Sequence, residues 1–152
     1  TVTRVVLYPL AISRTDVSPN PSPLFVVWGG PIVGVVLPIL VWGLGTLTRI
    51  RFRFLLRFFA GFCLVTNGAY LGIGSFEGIG DAGVMLQLGS PAWMLWGFGL
   101  VTVPLGFLLW HRQGLHFGFG KSPQPVDAQT ATLCLSLLLV TLLLEFLVSP
   151  SI

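Results

Sequence analysis

Four apolar runs, at 24–48, 54–75, 92–110 and 131–148, alternate with short polar breaks along the chain. At about 1.5 Å per residue, runs of this length suit helices crossing a hydrocarbon core about 30 Å thick, the longer ones with some tilt. The first run carries no charge. It holds Gly29, Gly30 and Gly34 with Pro31 and Pro38, so Gly30 and Gly34, four apart, are expected to face a neighbouring helix at close range. The second run turns polar and small in its later half, through Thr66, Asn67, Gly68, Tyr70, Gly72 and Gly74, which a helix facing only lipid would not need. Trp93 and Trp96 flank one end of the third run and Trp110 the other, where amphipathic rings favour the membrane interface. The fourth is Leu-rich and contains Glu145.

Ahead of the first run, Val2, Val5, Val6, Leu7 and Ile12 with Pro9 between them give one or two short strands within 1–13. Ser18-Pro19-Asn20-Pro21-Ser22-Pro23 then forms a stiff loop, because alternate prolines fix φ and bias their predecessors to extended structure. The predicted fold is an all-α integral membrane protein. It has a four-span helical bundle over 24–148, preceded by a segment at 1–23 carrying one or two short N-terminal β-strands. The Gly-rich connection 76–91 leaves room at 84–88 for about one helical turn.

Composition agrees with this reading. Of 152 residues, 54% are apolar and 9% charged, too few charges for the usual water-exposed surface of about 25 to 35%. The formal net charge of +3 does not point to nucleic acid, since Arg49, Arg51, Arg53 and Arg57 are wedged between two apolar runs. By the positive-inside rule these arginines, together with Arg112 and Lys121, put loops 49–53 and 111–129 in the cytoplasm. The N-terminal segment and the connection carrying Glu77 and Asp81 then face the other side. Cys63 and Cys134 lie in apolar runs and form no C-x-x-C pair. The chain opens on Thr rather than Met and is expected to be a piece of something longer.

Few residues offer chemistry. Asp81, in Gly80-Asp81-Ala82-Gly83, has small neighbours that leave its carboxylate open. It reads either as a solvated loop aspartate near the start of a short helix or as a ligand, because a carboxylate beside membrane spans needs a proton, a partner or a metal. Asn67 reads as a helix-contact residue or as one that orients a substrate backbone. Glu77 and Glu145 read as interface carboxylates. His111 and His116 are five apart, about 140° round a helix, and do not share a face as the i, i+4 pair of a zinc helix does. The sequence contains no H-E-x-x-H, G-x-S-x-G or Walker loop.

Several stretches taken together nevertheless resemble a known family. The segment 1–16, then Trp28-Gly29-Gly30-Pro31-Ile32-Val33-Gly34, then 58–70 and Gly80-Asp81-Ala82-Gly83, resemble the region downstream of the zinc-binding helix in membrane metallopeptidases of the site-2-protease type. The resemblance covers about 1–120. It implies a polytopic protein of a bacterial inner membrane that hydrolyses peptide bonds in or near the bilayer, with a transmembrane protein as substrate. The family holds Zn with two histidines of H-E-x-x-H and a distal aspartate, and uses the motif glutamate as general base on the zinc-bound water. Only Asp81 matches, as the distal aspartate, with Asp-Ala-Gly in place of the more usual Asp-Gly. The commoner pattern has Asn-Pro-x-Pro just before that aspartate, whereas here Asn20-Pro21-Ser22-Pro23 lies far upstream.

No catalytic residue is therefore expected in this chain, and Zn only in a full-length protein that also carries H-E-x-x-H. The other class of function is a non-enzymatic polytopic membrane protein, a small transporter or bundle subunit, with Asn67, Glu77 and Asp81 lining a polar pathway. Either way the first partner is the lipid bilayer. Cysteines substituted for Arg51 and Gln124 in a chain with Cys63 and Cys134 replaced by serine are expected to react with a membrane-impermeant thiol reagent from the same side. Labelling from opposite sides would overturn the four-span orientation.

Overall fold

The computed structural model describes residues 2–6, 14–119, 125 and 127–148. Residues 7–13 of the strand-forming stretch, and 120–124 and 126 of the polar loop with Lys121 and Gln124, lie outside the described residues. In chain order the elements are β1 (Val2–Val6), β2 (Arg14–Val17), α1 (Pro23–Leu47), α2 (Arg53–Glu77), α3 (Gly80–Gln87), α4 (Ala92–Trp110), a 3₁₀ turn (Gly114–Phe117) and α5 (Ala128–Val148). Four of the helices, α1, α2, α4 and α5, are long and apolar enough to cross a membrane, which suggests an integral membrane protein. The chain divides into two compact units, Thr1–Pro21 with Val126–Ile152, and Ser22–Pro125.

In the first unit β1 and β2 pair antiparallel, Val5 opposite Thr15, with an irregularity between Val2 and Arg4. β2 begins just past the stretch in which the strands are expected. α5 starts three residues before the expected 131 because Asp127 caps it. The Asp127 carboxylate accepts from the Gln129 N–H at 3.4 Å and from the Thr130 hydroxyl at 3.1 Å. Thr130 is the buried residue of α5, and most of its leucines stand exposed, with Leu133 and Leu142 half-buried.

The second unit is a bundle of α1, α2 and α4 with α3 tucked beneath. α1 opens with Pro23 in its first turn, where the missing N–H is no loss. Its buried stripe runs through Pro31, Val35, Pro38 and Gly45. On that stripe's edge Gly34 meets α2, where an added Cβ would stand 3.1 Å from the Asn67 amide. The expectation for Gly30 is corrected. Nothing lies within 4 Å of a Cβ placed there, because it sits about 100° round the helix from Pro31, outside the stripe.

The tightest contact is between α2 and α4, which run antiparallel. A Cβ on Gly106 would stand 2.7 Å from the Gly61 carbonyl oxygen, and one on Gly61 would stand 3.0 Å from the Gly106 oxygen. Two turns away, a Cβ on Gly99 would stand 2.9 Å from the Gly68 oxygen, and one on Gly68 would overlap the Thr102 hydroxyl. The backbones thus touch at two glycine pairs, Gly61 with Gly106 and Gly68 with Gly99. Where the solvent is lipid, such van der Waals contact replaces the hydrophobic drive as the source of helix association. A tryptophan clips each end of this seam. Trp110 Nε1 donates to the Phe58 carbonyl at 2.9 Å, and Trp96 Nε1 donates to the Ser75 hydroxyl at 2.9 Å.

α2 ends at Gly78, whose φ of +63° lets the Gly78 and Ile79 N–H groups both reach the Gly74 carbonyl, at 2.9 and 3.3 Å. α3 is two turns where the sequence suggests one. It is held by a small core of Leu71, Ala82, Met85 and Leu95, flanked by Trp28 and Phe98. Trp28 joins this core through an edge-on contact with Phe98 and a hydrogen bond from its Nε1 to the Ser90 hydroxyl at 3.0 Å. Leucine at Gly68 or Gly99 is expected to destabilise the unit by about 1–3 kcal/mol, the usual range for overpacking, in reversible unfolding from mixed micelles. Gly30→Leu is expected to stay within about 0.5 kcal/mol of the unsubstituted chain in the same titration.

Candidate functional site

Asp81 stands in the first turn of α3, exposed, at the end where a helix favours a negative charge. Its backbone is pinned, with the Asp81 N–H donating to the Tyr70 hydroxyl of α2 at 3.1 Å. The residues around it are small for reasons of packing. Gly80 has a φ of +57° and lies under the Tyr70 ring, so a Cβ there would overlap the phenol oxygen. Ala82 is fully buried in the core, and Gly83 rests directly on the Gly78 carbonyl. The sequence suggests that small neighbours leave the carboxylate open. In the fold they are the inward side of a turn that presents it, and the carboxylate has no hydrogen-bond or ionic partner among the described residues.

Glu77 is exposed at the last residue of α2, at the same end of the unit. Asn67 lies nearly three turns earlier, about 15 Å along the helix axis. Its Nδ2 donates to the Cys63 carbonyl at 2.8 Å and its amide packs where α1 passes at Gly34. The structure therefore puts Asn67 at a helix contact, apart from Asp81. His111 and His116 belong to the opposite end, the latter stacked on Phe54 at 4.8 Å. Glu145, half-buried, is on α5 in the other unit.

Two residues here have no role that the sequence alone reveals. Tyr70 is one, and its only signal is a tyrosine placed among glycines in a span. Arg57 is the other, legible there only as part of an orientation signal. Its Nη2 donates to the Leu108 and His111 carbonyls at 3.4 and 3.3 Å, so it caps the C-terminus of α4, where a helix favours positive charge.

Between α2 and α4 lies an open cavity of about 530 Å³, lined by Gly72, Phe76, Trp96, Leu100 and Val103 among others and almost wholly apolar. Phe76 stacks on Trp96 at its edge, with centroids 5.5 Å apart. It can accommodate hydrocarbon and offers no group for acid, base or nucleophilic work.

Zinc sites use at least three protein ligands. Among the described residues no three His, Cys, Asp or Glu side chains come together to hold a metal. Asp81 suits one position of such a site, being exposed, unpartnered and fixed at its backbone, but these residues by themselves do not fit a zinc centre. No family model, curated protein or solved structure matches the chain. Tyr70→Phe is expected to cost about 0.5–1.5 kcal/mol and to speed hydrogen exchange at the Asp81 amide while α2 and α4 stay protected. Exchange unchanged at that amide would show that the Tyr70 contact does not hold the turn.

Proposed function

We propose that this chain is the bilayer-embedded part of a site-2-protease-type zinc metallopeptidase-like protein, with Asp81 as its one contribution to the metal. The observation that carries the reading is the presentation of Asp81. A carboxylate beside membrane spans is costly to leave without compensation, and here the backbone beneath it is locked by Tyr70, Gly80 and Gly83. The resemblance of 1–16, 28–34, 58–70 and 80–83 to the family gives the same assignment.

In this reading zinc, when bound, would polarise a scissile carbonyl and lower the pKa of a bound water. The histidines and glutamate that complete such a centre are not in this sequence, so this chain alone has no peptidase activity. What its own residues do is place a carboxylate and hold the spans around it. The partners are the bilayer and a transmembrane substrate protein. The membrane is the bacterial inner membrane, with loops 49–53 and 111–129 cytoplasmic and Asp81 on the opposite side.

In the full-length protein, Asp81→Ala is expected to lower zinc content by weakening zinc affinity at least about tenfold, the low end of what removing a direct ligand should do when a supporting contact alone is worth that much. It should abolish cleavage while leaving the fold intact, seen as an unchanged far-UV circular dichroism spectrum in detergent. Full zinc occupancy and ordinary cleavage in that variant would instead return Asp81 to a solvated loop aspartate with no part in the metal site.

A further inference from the structure

The second unit is electrically polar along its length. Gly45 near the end of α1 packs beside Leu56 of α2, and Arg57 reaches the His111 carbonyl, so the end of α1, the start of α2 and the end of α4 lie together. That end carries Arg49, Arg51, Arg53, Arg57 and Arg112, while the unit's described carboxylates, Glu77 and Asp81, are both at the other. Arg49, Arg53 and Arg112 are exposed and have no ion-pair or hydrogen-bond partner through their side chains among the described residues.

Beside them is a second cavity, about 320 Å³, lined by Phe58, Trp110, Gln113, Gly114, Phe117 and Phe119. Gln113 is 3% exposed. Its Nε2 donates to the Leu109 carbonyl at 2.8 Å, yet its Oε1 has no partner, and neither has the buried Nε of Arg57. A buried acceptor and a buried donor are thus left open around one helix end, where unpaired polar groups are costly.

We propose that this end binds the headgroup of an anionic glycerophospholipid. The phosphate sits among Arg49, Arg53 and Arg112, a headgroup hydroxyl is accepted by Gln113 Oε1, and the first acyl carbons lie against the aromatic wall. Charge decides the class of lipid, since a group of cations with no carboxylate at the same end of the unit among the described residues favours a headgroup of net negative charge over a zwitterion, whose own cation offsets its phosphate. Position decides the source, because the cluster lies where apolar helices end and lipid headgroups are concentrated. The inference rests on the membrane reading of the spans and is independent of the metal assignment for Asp81.

The test is native mass spectrometry of the full chain released from nanodiscs of equal phosphatidylglycerol and phosphatidylcholine. Retained phosphatidylglycerol is expected to exceed phosphatidylcholine by about tenfold or more at low salt. Arg49→Gln/Arg53→Gln/Arg112→Gln should remove the preference, and the corresponding triple lysine variant should keep most of it. Equal retention of the two lipids by the unsubstituted chain, or an undiminished preference in the glutamine variant, would overturn the proposal. Complete displacement by excess glycerol 3-phosphate would overturn it in favour of a site for soluble phosphates. Failure of the membrane reading would be seen separately, as release of the chain from membranes by alkaline carbonate.

Discussion

The contact of α2 with α4, backbone on backbone, is the interaction on which the rest of the second unit depends. In a lipid solvent two apolar helices gain nothing by hiding from their surroundings, so they stay together only through dispersion at short range and through hydrogen bonds across the seam. Gly61 against Gly106 and Gly68 against Gly99 supply the first, and Trp96 and Trp110 supply the second at the two ends. The seven-residue interval between the glycines of each helix is two turns at 3.5 residues per turn, the period that keeps one face turned to a partner. With α2 and α4 so fixed, Arg57 comes within reach of the carbonyls that end α4, and Leu71 and Leu95 close over α3. α1 then adds its proline-marked stripe to the outside of α2.

The spans were legible in the sequence because a bilayer imposes both a length and a composition, and the helix ends fall within a few residues of the apolar runs. Where they differ, a cap explains it, as Asp127 does for α5 and Gly78 for α2. Helix pairing was less legible. Gly30 and Gly34 have the four-residue spacing most associated with close helix contact, yet only Gly34 meets a neighbour, while the seam itself uses a seven-residue spacing shared by two helices far apart in the chain. One helix read alone cannot reveal such a match. Asp81 stood out as a carboxylate in an odd place. Its partner Tyr70, eleven positions earlier in the chain, became meaningful only when the Gly78 turn folded α3 back on α2.

Chemistry and architecture are separated along the unit. The end that holds Asp81 is built from tight turns with three positive-φ glycines, Gly78, Gly80 and Gly89, and there Gly80 and Gly83 each have a contact that a larger residue would break. The end that holds the arginines is aromatic, with positive-φ turns at Arg49, Arg112 and Gly118 and with polar atoms left unpaired around the close of α4. Cations spread over flexible side chains suit a diffuse partner such as a lipid surface.

The two tryptophan clips also measure the unit. From Phe58 to Ser75 along α2 is about 25 Å, less than the roughly 30 Å of an average hydrocarbon core. α1 beside it is 25 residues long, about 37 Å, and its apolar ends at Phe25 and Leu47 are 79% and 82% exposed. α2 is itself 25 residues long, so it runs on past both clips, by about 8 Å beyond Phe58 and about 3 Å beyond Ser75. In a hydrocarbon layer about 30 Å thick the two indole hydrogen bonds would then lie within the apolar depth, where no water competes for Phe58 O or Ser75 Oγ and each clip is harder to open than at a wet surface.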